Sequence, residues 1–281
     1  MTAQPAPQTT HAEPVMGTVF SFTAVHGDLP PDGVRAALAA ACRTLHHCDA
    51  LFSTWDPDSP VSRFRRGEAA LGQMPPEFTE VLRECQAAKE ASAGWFDPWA
   101  MPGGFDPTGL VKGWATERAL EELRSAGLPG ALINGGGDVA VFGSPADGLR
   151  WRVGIRHPWR ADALACVIEA GQGPVTEERG PEPWGGSGGS PPRASIAAVA
   201  TSGLYERGAH LIDPATGLPA NRAASATVTG PSLALADALA TGVAVGGDEA
   251  LAVVASLDGY AAYLIRPDGS EADTGGIAFA R

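Results

Sequence analysis

Apolar residues recur at helical spacing in several stretches of the chain. Residues 32–51 carry five of them on one face: Val34, Leu38, Ala41, Leu45 and Cys48. Residues 76–92 repeat the pattern, and a polar loop is predicted over 51–67 between the two. Because steps of three and four residues return to one face of a helix, both stretches are predicted to be amphipathic helices. Further helices are predicted over three ranges: 110–126, 232–246 and 248–257.

Shorter apolar segments rich in β-branched residues predict strands. The first covers residues 16–26, and six more follow at 131–133, 138–142, 151–155, 163–170, 195–203 and 224–230. Asp268-Gly269 predicts the turn of a C-terminal hairpin. This mixture of helices and strands predicts an α+β fold.

Two segments lack these patterns. Residues 1–14 have no basic start and no apolar run, so they are predicted to be a disordered leader rather than a signal peptide. Without a signal peptide, the protein is expected to be cytoplasmic. Residues 171–193 are rich in Gly, Pro and Ser, which is typical of a flexible surface loop. The remainder, 15–281, is expected to form a single domain.

The net charge of −12 restricts the ligands that we expect. Nonspecific binding of nucleic acid needs a basic surface, so no nucleic-acid partner is expected. An anionic ligand would need local compensation by a metal, a helix N-terminus or a few cations. The sequence contains no apolar stretch of about 20 residues, so stable membrane insertion is not expected. The four cysteines form no CxxC pair and are predicted to be reduced core thiols rather than zinc ligands.

Three conspicuous features are not interpreted as sites. Residues 135–140 match GxGxxG/A, but a dinucleotide-binding loop must open a helix, and the strand-like VAVF that follows predicts a tight turn instead. Residues 185–189 match GxSxG only within low-complexity sequence. His46 and His47 have no partners at metal-ligand spacing and are interpreted as surface or boundary residues.

Polar residues gather at the start of the helix predicted over 110–126. Asp106 and Thr108 precede it, Gly109 permits a tight turn into it, and Lys112 falls in its first turn. A helix N-terminus with a lysine can bind phosphate, which would explain a cation where the helix dipole disfavours one. Alternatively, Asp106 or Thr108 caps the helix and Lys112 is solvated; this segment supports both interpretations equally.

Asp237 and Thr241 are the only strongly polar residues in the body of the apolar helix at 232–246. Four residues apart, they share one face of it. Carboxylate and hydroxyl oxygens together suit Mg²⁺ or Ca²⁺. A solvent-facing stripe is the alternative, but the stripe is narrow, which favours the metal. His210, after the strand at 195–203, is a candidate general base, although a structural hydrogen bond is the commoner role of a lone histidine.

Seven motifs in sequence order resemble those of the ApbE family, the FAD:protein FMN transferases. They are MGT at 16–18, FSTW at 52–55 with Ser59, Ser62 and Arg63, GWFDP at 94–98, Asp106 with Gly109 and KG at 112–113, NGGGD at 134–138, TSG at 201–203 with HLIDPATGLP at 210–219, and DALAT at 237–241. Pro107, Val111 and Trp55 depart from the usual Leu, Ala and Tyr of the family, and Trp55 keeps a stacking aromatic.

The resemblance implies an ApbE-like fold of two intimately packed α/β subdomains, with mixed or antiparallel sheets and FAD in the cleft between them. It implies Mg²⁺ held by Asp237, Thr241 and the carbonyl of Gly109, and His210 activating an acceptor hydroxyl. The implied FAD contacts are Met16, Trp55, Trp95, Phe96, Asp97, Asp106, Lys112, Leu211 and Ile212.

The implied reaction transfers the FMN part of FAD to a threonine or serine of an acceptor protein that carries a flavinylation motif, and releases AMP. Metal and Lys112 would then offset the charge of the pyrophosphate. Two alternatives need the same binding residues and stay open: an FAD pyrophosphatase that uses water as the acceptor, and a non-catalytic FAD-binding protein.

Overall fold

The computed structural model describes residues 7–146, 149–171, 197–203 and 211–280. The strands are β1 Gln8–Val15, β2 Thr18–Val25, β3 Gly130–Gly135, β4 Asp138–Gly143, β5 Trp151–His157, β6 Arg160–Ala170, β7 Ala197–Gly203, β8 Ser225–Gly230, β9 Ala261–Ile265 and β10 Glu271–Asp273. The helices are α1 Pro31–Phe52, α2 Pro60–Arg65, α3 Pro76–Ala91, α4 Thr108–Ser125, α5 Leu233–Gly246 and α6 Asp248–Val254, with a 3₁₀ turn at Leu71–Gln73.

Eight strands form one antiparallel sheet in the order β1-β2-β3-β4-β7-β8-β9-β10, and β5 pairs with β6 in a separate antiparallel hairpin. The predicted α+β class with antiparallel sheets is therefore confirmed. In the part of the chain that the structure describes, no helix combines the length and the apolarity needed to cross a bilayer.

Strand β4 shows that the large sheet is covered on both faces. Ala140 and Phe142 belong to the main core, which the helices share, whereas Val139 and Val141 belong to a smaller core that includes Trp151 of β5. Successive side chains of a strand point to opposite faces. The protein therefore has three layers: helices, the eight-stranded sheet and the β5–β6 hairpin.

Helix α5 lies in the main core, and all its residues except Leu235 and Thr241 are buried. A helix that is apolar on every side needs neighbours all round. Helix α4 supplies one of them by crossing α5 at Gly113, where an added Cβ would lie 2.5 Å from the Leu233 carbonyl oxygen. Glycine at this position therefore permits the close approach of the two helices.

The turn between β3 and β4 agrees with the sequence. Gly136 and Gly137 have φ of 66° and 105°, a conformation that glycine adopts at little cost, and β4 begins directly after them. The predicted tight turn is confirmed, and no dinucleotide-binding helix starts here.

Two local predictions were wrong. Residues 8–14, predicted to be disordered, lie in β1, which pairs with β2 from Gln8 to Val15. As a largely exposed edge strand, β1 is held by backbone pairing and needs no apolar run. Helix α2 forms inside the predicted polar loop, because Ser59 caps it by accepting a hydrogen bond from Ser62 N–H at 3.1 Å. Residues 1–6 lie outside the described ranges. The predicted flexible loop at 171–193 also lies outside them, except for residue 171.

Candidate functional site

The three predicted metal ligands come together where α4 crosses α5. Asp237 is 3% exposed, and its Oδ2 accepts a hydrogen bond from Gly113 N–H at 3.3 Å. Thr241 lies one turn further along α5, beside the first turn of α4. A Cβ added to Gly109 would lie 3.3 Å from Thr241 Oγ1 and 3.1 Å from the Phe96 ring. Glycine at 109 thus lets the backbone approach the threonine hydroxyl.

Ser202 joins this group, although its position in the sequence assigned it no role. Its hydroxyl lies 3.3 Å from Thr241 Oγ1. The neighbouring Thr201, also at the end of β7, shares a hydrogen bond of 3.0 Å with Thr227. Three consecutive small or hydroxyl-bearing residues at the end of a buried apolar strand are the sequence signal that points to this position.

Lys112 forms an ion pair with Oδ2 of Asp138, a fully buried residue. The other carboxylate oxygen accepts a hydrogen bond from Thr201 N–H at 3.0 Å. A buried carboxylate is costly unless it is paired and hydrogen-bonded. Lys112 is therefore not a freely solvated lysine, and Asp138 holds its ammonium group near the start of α4.

Asp106 secures the start of α4. Its Oδ1 accepts a hydrogen bond from Thr108 N–H at 3.1 Å, and its Oδ2 lies 3.5 Å from a guanidinium nitrogen of Arg65. Arg65 also donates to the carbonyls of Pro102 and Gly103, at 2.9 and 3.3 Å. The N-cap residue of α4 is Pro107, so neither Asp106 nor Thr108 is the predicted cap; Asp106 instead accepts from the first helical amide, and Arg65 partly compensates its charge.

The segment 95–97 borders the same crossing. Phe96 is buried against Gly109, and its N–H donates to Ser92 Oγ at 3.1 Å. Trp95 packs on α5, where a Cβ on Gly246 would lie 2.5 Å from the indole. Asp97 pairs with Lys89 at 2.7 Å. Two of the three side chains therefore support α4 or α5 directly.

The remaining predicted residues lie on other segments. Met16 donates its N–H to Asp49 Oδ2 at 3.3 Å and has φ of 54°. Trp55 is 89% exposed, Leu211 is buried, and Ile212 pairs with Pro219 in an isolated β-bridge. His210 lies outside the described residues.

Glu117 was not predicted, yet it joins α4 to the start of α5. Its carboxylate accepts a hydrogen bond from Leu233 N–H, the first amide of α5. Burial raises the pKa of Glu117 to about 7, against the hydrogen bonds from Leu233, Ser232 and Ala234, which lower it. A glutamate in a run of helical residues gives no sequence signal for such a contact.

The model of the ApbE family matches residues 16–103 and 99–264. This chain belongs to the ApbE family. A Vibrio cholerae relative named FAD:protein FMN transferase is 32% identical over 155 residues, which are 51% of this chain and 39% of the relative. A Rhodobacter capsulatus relative of the same name is 27% identical over 269 residues, 92% of this chain and again 39% of the relative. The aligned regions thus span well under half the length of these relatives.

Solved ApbE structures share the fold. The flavin transferase ApbE from Vibrio cholerae superimposes with a TM-score of 0.74 at 21% identity and covers 98% of both chains. The ApbE protein from Thermotoga maritima gives 0.76 at 20% identity and covers 95% of this chain and 96% of its own. The resemblance drawn from the motifs is confirmed.

Four of the ApbE motifs converge at the α4–α5 crossing, although they are far apart in sequence. They are those at 106–113, 134–138, 201–203 and 237–241. Each is joined to another by a contact given above: Gly113 to Asp237, Lys112 to Asp138, and Ser202 to Thr241. The fold therefore turns four separate motifs into one polar centre inside an apolar core.

Proposed function

We propose that this chain transfers the FMN part of FAD to a threonine or serine hydroxyl of an acceptor protein, with Mg²⁺, and releases AMP. Membership of the ApbE family and relatives named FAD:protein FMN transferase support the proposal. The meeting of Gly109, Asp237 and Thr241 beside Lys112 is the observation that carries it.

The residues at the crossing fit Mg²⁺. This ion prefers oxygen ligands, and Asp237 offers a carboxylate, Thr241 a hydroxyl and Gly109 a backbone carbonyl. A buried carboxylate in an apolar helix is also the kind of charge that a cation would compensate. When bound, Mg²⁺ would neutralise negative charge on the pyrophosphate.

Lys112 is proposed to contact the FAD phosphates. The carboxylate of Asp138 already neutralises much of the positive charge of Lys112, so the lysine alone compensates little of the negative charge of a pyrophosphate. Asp138 instead fixes the ammonium group in place, which lowers the entropy cost of a phosphate contact. The other proposed FAD contacts are Met16, Trp55, Trp95, Phe96, Asp97, Asp106, Leu211 and Ile212, of which the exposed Trp55 indole offers a face for ring stacking.

The proposed reaction is a phosphoryl transfer. The acceptor hydroxyl oxygen forms a bond to the FMN phosphorus, the bond from that phosphorus to the bridging oxygen breaks, and AMP leaves with that oxygen. His210 takes the proton of the hydroxyl.

Incubation of the purified chain with FAD, Mg²⁺ and a candidate acceptor that carries a flavinylation motif tests the proposal. We expect flavin fluorescence on the acceptor band in a denaturing gel, and none when alanine replaces the acceptor threonine. FMN and AMP released without labelling would instead indicate a pyrophosphatase. Bound FAD without turnover would indicate a binding protein, and either result would overturn the proposed transfer.

The same assay tests the role of His210. His210→Ala is expected to bind FAD as the wild type does and to lose transfer by about 100-fold or more, the usual contribution of a general base. His157→Ala, in the β5–β6 hairpin, is a control that should transfer normally. Full transfer by His210→Ala would place the base elsewhere.

A further inference from the structure

A second cluster of potential metal ligands lies between β1 and α1, on residues that the proposed reaction does not use. His11 and Glu13 are two apart on β1, and Cys42 and His46 are four apart on α1. Each pair therefore shares one face of its element. Glu13 joins the two pairs, because its Oε2 lies 3.2 Å from His11 Nε2 and its Oε1 lies 2.7 Å from His46 Nε2.

We propose that His11, Glu13 and Cys42 bind a divalent transition metal of the zinc class, and that His46 holds Glu13 in place. One ligand atom from each of the three lies within 4.8 Å of the others. Imidazole, carboxylate and thiolate are the three side-chain donors that zinc takes in proteins. A thiolate among them disfavours Mg²⁺ and Ca²⁺, which prefer oxygen alone.

The geometry needs little adjustment. With metal–ligand distances of about 2.0–2.3 Å and tetrahedral angles, the ligand atoms around zinc lie roughly 3.5 Å apart. Because the ligand atoms lie within 4.8 Å of one another, the largest separation has to close by about 1.3 Å, which side-chain rotation can supply. Three protein ligands leave the fourth position to water.

The burial and hydrogen bonding of the cluster residues suit a metal site. Cys42 is 9% exposed, whereas the side chains of His11 and Glu13 are 40% and 24% exposed, so an ion can enter from solvent. His46 occupies the carboxylate oxygen that the ion would leave free, and such outer partners orient metal ligands. The ring of His11 also packs against Phe22, at 5.8 Å between centroids.

The sequence alone does not reveal the cluster, because its ligands lie on a strand and a helix, whose side chains repeat with different periods. The sequence has no CxxC pair and no two histidines four residues apart on a helix, and it therefore predicted no zinc site. The ligands of the candidate metal site come together only when β1 pairs with β2 and lies beside α1. A bound ion there would tie the edge strand β1 to α1.

Cobalt titration tests the proposal. The full chain without a histidine tag is stripped with chelator and titrated with Co²⁺, whose bond to a thiolate gives a near-ultraviolet charge-transfer band. We expect the band to saturate at one Co²⁺ per chain and to disappear when Zn²⁺ is added. Cys42→Ser and His11→Gln should lose it, and His46→Gln should weaken Co²⁺ affinity about 10- to 100-fold.

Matched controls keep the test specific. Cys166→Ser replaces another free cysteine and His47→Gln replaces the histidine next to His46, and both should keep the band. Circular dichroism of each metal-free variant verifies that it folds. Absence of the band from the wild type, or its survival in Cys42→Ser, would overturn the site. The readout is spectroscopic and does not depend on FMN transfer.

Discussion

Asp237 is the residue on which the proposed chemistry depends most. It lies buried in a helix that is otherwise almost wholly apolar, and the N–H of Gly113 donates to its Oδ2. Removing a charge from water costs several kcal/mol unless partners compensate it. A buried carboxylate at this place is what the proposed Mg²⁺ site requires, since the cation would compensate its charge.

Asp237→Asn separates metal binding from a contribution to stability. The amide keeps an oxygen for the N–H of Gly113 but removes the charge that would hold Mg²⁺. We expect Mg²⁺-dependent turnover of FAD to fall by about 100-fold or more, while the melting temperature without metal is unchanged or higher. Turnover at saturating FAD and calorimetry measure the two effects. Asp162→Asn, exposed on β6, should change neither, and Mg²⁺-stimulated turnover in Asp237→Asn would refute the assignment.

Residue types in the site could be predicted from the sequence, but most of their partners could not. The four-residue spacing of Asp237 and Thr241 placed them on one face of a helix without further information. The ion pair of Lys112 with Asp138 depends on how α4 packs against the β3–β4 turn. Such contacts arise only when the whole chain has folded.

At the scale of elements, the crossing of α4 and α5 depends on close packing at Gly113 and on Glu117. The carboxylate of Glu117 accepts from the first amide of α5, where the helix dipole favours negative charge. Burial nevertheless raises its pKa to about 7, so in the native protein Glu117 is mostly protonated below pH 7 and mostly ionised above it. The packing of the two helices that carry the site is therefore linked to pH.

Glu117→Gln tests this linkage. The unfolded pKa is near 4.5 and the native one about 7, so the native state binds more protons between these values. The contribution of Glu117 to the free energy of unfolding is then full below pH 4.5 and is lost as pH rises to 7, by about 3 kcal/mol. Urea unfolding at several pH values should show this slope in the wild type and a flatter one in Glu117→Gln. Glu249→Gln, exposed on α6, should keep the wild-type slope; identical slopes in all three would contradict the linkage.

Periodicity predicted the long elements and missed the short or exposed ones. Helices α1 and α3 bury one face each, so their apolar spacing was sufficient. Strand β1 is mostly exposed, and α2 has six residues and depends on a serine cap. Backbone pairing and side-chain caps leave a weaker trace in the sequence than burial does.

At the scale of the molecule, the order of strands was not predictable from local patterns. Strand β7 pairs directly with β4. The β5–β6 hairpin, which lies between them in the sequence, therefore does not join the sheet and packs on the face opposite the helices. One main core nevertheless includes side chains from strands at both ends of the sheet and from most of the helices, among them Phe20, Leu45, Leu120, Leu239 and Leu264. We therefore expect cooperative unfolding.

Because α4 and α5 belong to that core, a ligand bound at their crossing should stabilise the whole chain. FAD with Mg²⁺ at about 100 times the dissociation constant contributes roughly 2.7 kcal/mol, which corresponds to a rise in melting temperature of about 5 °C. With chelator present the rise should be smaller, because a chain of net charge −12 repels a pyrophosphate that no metal neutralises. Scanning calorimetry with FAD, with and without Mg²⁺, measures the difference, and Asp237→Asn should lose the Mg²⁺-dependent part alone. An equal rise with and without Mg²⁺ would show that FAD binding does not depend on the metal.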